Sequence, residues 1–255
     1  MRVLVCVKRV PAPGAKINIT ADGQAVDTAY LAFTTSPHEE CAVEEAVQLV
    51  ERHGGEATVL TLGSVDAAEQ LRYAASLGVA KAVLLAITEP EWDPQRTAAA
   101  IATAIVDLEA VDGPFDIILF GNESADSGGF QVGVRVARAL GRAIVNGVKG
   151  IEVGDGSIRA RREAEAGVEV YALPMPVVLG VKEGINLPRY PTMKGRLAAK
   201  KVAVAEVTPA AEPGGQRMVT LRQAAEQVSN TIILGSGPDA ASAVVDVLEE
   251  LGVLR

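Results

Sequence analysis

Four short apolar runs, Val3 to Val7, Thr58 to Leu62, Ala82 to Ile87 and Asp116 to Phe120, alternate with segments of helical period between Val3 and Gly141. A strand that reaches its neighbour through a helix pairs with it in parallel, by a right-handed crossover. The helix signals agree with this reading. Ser36-Pro37-His38-Glu39 offers a Ser cap, Pro at the first helical position and Glu three residues after the cap. Ala42, Val43, Ala46, Val47, Leu49 and Val50 then recur at helical spacing until His53-Gly54-Gly55 stops the helix. A second helix carries Leu71, Ala74, Ala75 and Leu77, and Asp93-Pro94 opens a third with Ala98, Ile101, Ala102, Ile105 and Leu108 on one face. The apolar content is mostly Ala, Val, Leu and Ile with only 4% aromatics, which suits helices packed on a parallel sheet better than a β-sandwich. The expected class is α/β, a parallel sheet with flanking helices.

The fourth run breaks into Gly121-Asn122-Glu123-Ser124-Ala125-Asp126-Ser127-Gly128-Gly129-Phe130-Gln131-Val132-Gly133 and then into a helical pattern ending at Leu140-Gly141. Strand, glycine loop and helix in this order place backbone N–H groups of Gly128, Gly129 and their neighbours at a helix N-terminus, where unpaired donors and the helix dipole both favour an anion. Ligands in such sheets bind beyond the carboxyl ends of the strands. The segment is therefore read as a nucleotide phosphate cradle. Glu123 and Asp126 accept from ribose hydroxyls there or hold the loop by its own backbone bonds.

After Gly141 the rhythm changes. Val148 to Val153 and Ser157 to Arg161 flank Gly154-Asp155-Gly156 as a hairpin, Val168 to Leu173 adds an antiparallel strand, and Pro176 to Val181 returns to the main sheet. Lys182 to Ala199 is expected as a long loop rich in Pro, Gly and positive charge, and loops of that length are functional or mobile. Thr208 to Gly215 reads as a linker, followed by a short helix near Leu221 to Val228, an apolar run at Ile232 to Leu234 and an amphipathic helix from Asp239 to Leu251. Such a tail is too small for a core of its own and lies against this domain or a second chain. The expected organisation is a nucleotide-binding domain over 1–207, with a recognition loop at 182–201, and a linker and arm over 208–255.

Several function classes are disfavoured. A net charge of -8 argues against general affinity for nucleic acid. No apolar run reaches the roughly 18 to 20 residues a bilayer requires, and the start of the chain does not resemble a signal peptide, so a cytoplasmic protein is expected. Cys6 and Cys41 have no zinc-like spacing and read as small buried apolar residues. Neither His38 nor His53 sits in a nucleophile context; His53 is placed as a cation at a helix end, and His38 as a candidate to face the nucleotide. Glu39-Glu40, Glu44-Glu45 and Glu249-Glu250 read as solvated helix faces. Ser127-Gly128-Gly129 is not followed by the Asp-Ser of a pyrophosphate loop, and there is no P-loop. A nucleotide bound without hydrolytic machinery is expected to be structural.

Three separated segments carry a resemblance: Val3-Leu4-Val5-Cys6-Val7-Lys8-Arg9-Val10-Pro11, the glycine loop, and Ile185-Asn186-Leu187-Pro188-Arg189-Tyr190-Pro191 through Ala198-Ala199-Lys200-Lys201. With these, the chain resembles the beta subunit of electron transfer flavoprotein over residues 1 to about 205. The resemblance implies an adenine nucleotide alpha hydrolase-like, Rossmann-like fold. It also implies an alpha subunit partner holding most of the FAD contacts, and electron donors such as acyl-CoA dehydrogenases. The beta subunit would hold a buried AMP, or in bifurcating members the AMP part of a second FAD. By position the AMP pocket falls on Cys6, Ser36, Pro37, His38, Glu39, Leu62 and the stretch from Gly121 to Val132. The recognition loop falls on Lys182 to Lys201, with Asn186, Pro188, Arg189 and Tyr190 as docking candidates and Met193 at the apolar anchor usually held by Leu. The acidic contact to the flavin domain falls on Glu163, and an aromatic residue often near the flavin is replaced by Pro13. The rival readings are a stand-alone ATP-binding module of the universal-stress type and a nucleotide-dependent ligase or transferase.

Overall fold

The structure, a computed structural model, describes residues 1–88, 91–210, 214–224 and 231–254. The chain forms two compact units, Met1–Leu221 and Arg222–Arg255. In the first, β1 (Arg2–Cys6) is followed by two small ribbons: β2 (Val10–Pro11), β3 (Asn18–Ile19), β4 (Val26–Asp27) and β5 (Phe33–Thr34), in which β2 pairs with β5 and β3 with β4. Then come α1 (Pro37–His53), β6 (Glu56–Gly63), α2 (Ala68–Leu77), β7 (Lys81–Ala86), α3 (Pro94–Asp112), β8 (Ile117–Gly121) and α4 (Val132–Ala139). The remainder is β9 (Ala143–Val153), β10 (Ser157–Ala164), β11 (Gly167–Pro174), β12 (Val177–Val181), α5 (Met193–Ala199) and β13 (Val204–Val207).

The main sheet has the order β11-β10-β9-β12-β8-β1-β6-β7-β13 and is parallel from β12 to β13. Successive side chains of a strand point to opposite faces, so each central strand feeds two layers. Val3, Val5, Val59, Ile117 and Leu119 pack with Ala42, Ala46 and Leu49 of α1 and Leu71 of α2. Leu4, Cys6, Leu60, Ile118 and Phe120 pack with Ile101 and Ile105 of α3 and Val136 of α4 on the other side. The α/β class is thus as expected, with helices on both faces.

The helix starts are local and match the sequence. Ser36 Oγ accepts from Glu39 N at 3.3 Å while the Glu39 carboxylate accepts from Ser36 N at 3.1 Å, the reciprocal capping box. Asp93 caps α3 by accepting from Gln95 N at 2.9 Å.

Three differences from expectation concern pairing at a distance. β9 begins at Ala143, five residues before the expected hairpin: its first half pairs in parallel with β12 and its second half antiparallel with β10. The change falls at Gly147, which the β12 register skips and whose φ of 74° suits a bulge. The segment expected as a loop up to Ala199 contains α5, started by Thr192 Oγ1, which accepts from Gly195 N at 3.0 Å. β13 was not anticipated and closes the far edge of the sheet beside β7.

In the second unit a 3₁₀ turn at Gly237–Ala240 leads into α6 (Ala241–Glu250), as expected, and α6 has no buried residue. Ile232 and Ile233 precede it, exposed. The short helix expected near Leu221 to Val228 falls in part outside the described residues, and Leu221 to Ala224 are not helical.

Candidate nucleotide socket and docking loop

The sheet brings the expected nucleotide residues to one edge. β1 ends at Cys6, β6 at Gly63 and β8 at Gly121, and in the parallel register Cys6 lies between Leu60 and Phe120. Gly121 matters because a Cβ there would sit 2.7 Å from Cγ of Glu39, so its absence lets the start of α1 close onto the end of β8. Gly133 does the same for α4, where a Cβ would lie 3.2 Å from the Phe120 ring.

Glu39 is the floor of this edge. Its carboxylate is buried and accepts from Lys8 N at 3.0 Å as well as from Ser36 N. Burial pushes its pKa up to about 7, against the pull of those two N–H groups and of the Lys8 charge. Burial, with the nearby Glu39 carboxylate, also raises the Cys6 thiol well above its ordinary range, which makes it an apolar wall and not a nucleophile. Leu62 packs half-buried beside it in the same layer.

The glycine loop is folded around Ser124. Gly128 N donates to Ser124 O at 2.9 Å, Gly129 N donates to Ser124 Oγ at 3.2 Å, and the Ser124 and Ser127 hydroxyls lie 2.7 Å apart. The two N–H groups expected to face an anion are therefore engaged within the loop. Donors of the α4 first turn remain, since Gln131 provides no side-chain cap. Asp126 pairs with Lys8 Nζ at 2.7 Å and accepts from Ser127 N at 2.8 Å. Burial opposes its charge, yet the Lys8 ammonium and the loop's own donors hold its carboxyl below the usual range. Glu123 Oε1 lies 3.2 Å from Nε2 of His38, whose Nδ1 accepts from Glu183 N at 2.8 Å. Because Nδ1 accepts, the proton is on Nε2 and is donated to Glu123. Ala125, Ser127 and Phe130 are exposed along the loop. Among the described residues no group of three or more His, Cys, Asp and Glu could hold a metal ion.

The loop after β12 shows a second design. Arg189 is clamped onto α1: Nε and Nη2 each donate to Glu44 at 2.9 Å, and Nη1 donates to Glu51 at 2.7 Å. Asn186 Nδ2 donates to Cys41 O and to Glu45 Oε2, both at 3.0 Å. This corrects the reading of Glu39, Glu44 and Glu45 as a solvated face: all three are buried, at 6%, 2% and 5% exposure, because a distant loop and the capping box cover them. Asn186 and Arg189 accordingly face inward as tethers, and Pro188 is half-buried. Leu187 between them, and Tyr190 and Met193 just beyond, stand out at 89%, 89% and 74% exposure. Leu187 was not singled out from sequence, though an apolar residue between two anchors is a usable signal. α5 lies close on α2, where Gly195 meets the backbone oxygen of Ser76. A cleft of about 530 Å³ opens beside it, lined by Phe33, Tyr73, Pro191 and Arg196 among others. Glu163, on β10, is exposed and pairs with Lys149 at 2.7 Å.

A family model described as "Electron transfer flavoprotein domain" matches residues 25–212, a span that includes both loops. The chain belongs to the electron transfer flavoprotein family. It is 38% identical over 214 residues to an electron transfer flavoprotein subunit beta of Syntrophomonas wolfei, covering 83% of this chain and 81% of that one. A subunit beta from Mycobacterium tuberculosis is 33% identical over 212 residues, 81% of this chain and 78% of its own. Protein FixA of Azorhizobium caulinodans is 31% identical over 210 residues, 80% of this chain and 74% of its own. The resemblance read from three short segments thus holds across most of this beta-type flavoprotein chain.

Proposed function

We propose that this chain is the beta subunit of a heterodimeric electron carrier, paired with an alpha subunit that holds most of the FAD, and that its own socket takes AMP. The observation that carries this reading is the docking loop: Leu187, Tyr190 and Met193 are presented to solvent by a segment whose polar residues are tied down on α1. Exposed apolar groups on a tethered frame are what a protein partner meets, with little ordering left to lose. Dehydrogenases, acyl-CoA dehydrogenases among them, are the proposed electron donors, and Met193 is the anchor its flexible thioether suits.

The socket fits a nucleotide monophosphate. Two glycines let α1 and α4 close on the strand ends, and the uncapped first turn of α4 supplies N–H donors for a phosphate. Ser124 and Ser127 add hydroxyls there, Glu123 and Asp126 hold the loop, and Cys6 and Leu62 form the apolar wall. Bound FAD would supply the electron chemistry. This chain's part is to bind, orient and dock, with the exposed Glu163 carboxylate offered to the flavin-bearing subunit. The chain is proposed to act as a carrier subunit and not as an enzyme alone. No helix among the described residues is long and apolar enough to cross a membrane, and the cytoplasm is the proposed location.

Residues 208–255 are proposed as an arm on the alpha subunit, supported by the exposure of Ile232, Ile233, Leu251 and Val253. Such an interface belongs to the obligate size class, above about 2,000 Å². Co-expression with the alpha subunit tests the function: the complex should carry FAD that a dehydrogenase and its substrate reduce. A complex that binds no flavin would contradict it. Deleting 208–255 should impair assembly and leave nucleotide bound; normal pairing of the truncated chain would remove the arm from the proposal.

A further inference from the structure

The nucleotide socket and the docking loop leave the sheet side by side. β8 and β12 are adjacent parallel strands, Gly121 is registered with Val181, and Asn122 N donates to Val181 O at 2.8 Å. The first residues beyond these strand ends are the glycine loop and the docking loop. The first turn of α1 stands over both, and Gly121 would carry a Cβ 3.4 Å from that of His38.

One side chain bridges the two loops. The His38 ring accepts the N–H of Glu183 at 2.8 Å through Nδ1 and donates to the Glu123 carboxylate through Nε2, with the side chain 14% exposed. Each nitrogen has one role, and the two roles are linked, because a ring that rotates to follow Glu123 withdraws the acceptor from Glu183. Downstream, Asn186 and Arg189 bind the docking loop to α1 itself. α1 is therefore a common strut: its first turn forms part of the socket, and its buried carboxylates hold the loop.

We propose that His38 is a positioning residue that couples the nucleotide socket to the docking loop, so that a filled socket fixes the start of that loop in the form a donor protein meets. The proposal rests on the socket taking AMP. A histidine that merely satisfied its own hydrogen bonds would stabilise both loops to the same extent whether or not nucleotide was present. A coupling residue makes the order of one loop depend on the state of the other.

The test is hydrogen exchange on the full heterodimer, stripped of nucleotide and then supplied with AMP, following peptides over 121–132 and 182–193 with a β1 peptide as control for folding. With the natural chain, AMP should slow exchange in both loops, by about fivefold near Glu183, the ratio set by one hydrogen bond. His38→Ala can weaken AMP binding, so AMP is raised until calorimetry shows the variant's socket filled; 121–132 should then be protected and 182–193 no longer protected. Retained protection of 182–193 in that variant would overturn the proposal, as would AMP that protects the glycine loop of the natural chain and leaves the docking loop unchanged. If calorimetry shows no AMP binding, the nucleotide reading fails separately. Glu123→Ala then decides the coupling without ligand: faster exchange near Glu183 supports it, and unchanged exchange there with an intact β1 contradicts it.

Discussion

The two loops at the carboxyl edge of the sheet are held in opposite ways. The glycine loop is fastened mainly within itself, with the carbonyl and hydroxyl oxygens of Ser124 taking the N–H groups of Gly128 and Gly129, and Lys8 reaching in to Asp126. The docking loop has little of its own structure before α5 and is fastened to α1 through Arg189 and Asn186. A self-held loop can rearrange around a small ligand at the cost of a few internal hydrogen bonds. A tethered loop presents a fixed surface, which suits a large partner. The buried carboxylates of Glu44 and Glu45 serve that attachment.

The largest expected effect comes from cutting the tether. Arg189→Met leaves the Glu44 carboxylate, 2% exposed, without its cation and should cost about 3 kcal/mol in chemical denaturation, the low end for a broken buried pair because the arginine is partly exposed. The double variant Arg189→Met with Glu44→Met should recover most of that loss. A single substitution with no measurable cost would mean that the tether holds nothing. At the nucleotide end, the Glu39 pKa of about 7 lies above the ordinary 4.5, so between these values the folded chain binds more protons than the unfolded one. Stability should then fall as pH rises through that window, by up to roughly 3 kcal/mol, and reach its floor above pH 7. Denaturation midpoints at pH 5 and pH 8 read this directly: Glu39→Gln should flatten the difference, and an unchanged slope would place it on other groups. The smallest effect is at the exposed surface. Met193→Ala should slow reduction by a donor dehydrogenase about tenfold with flavin content unchanged; equal rates would remove Met193 as an anchor.

What could be read from the sequence was local. The capped helix starts at Ser36 and Asp93 and the strand-loop-helix at Gly121 rest on residues a few positions apart, and all three formed as expected. The parallel half of β9 and the edge strand β13 depend on partners far along the chain, and a short run such as Val-Ala-Glu-Val does not announce its neighbour. Glu44 and Glu45 show the same limit in the site. As adjacent acids on a helix they have the pattern of a solvated face, and they are buried only because Arg189 and Asn186, more than 140 positions later, fold back onto them. The candidate site was thus legible as segments, and the structure separates the residues that hold those segments from the residues they display.

The central claim is that the glycine loop is a structural nucleotide socket in an electron-carrier subunit. Purifying the chain with its alpha subunit, denaturing the complex and identifying the released nucleotides tests it most directly. The expected result is one FAD and one AMP per heterodimer. Two FAD molecules would replace AMP with a second flavin and point to a bifurcating carrier, and ATP alone would contradict the account in favour of a stand-alone nucleotide-binding module.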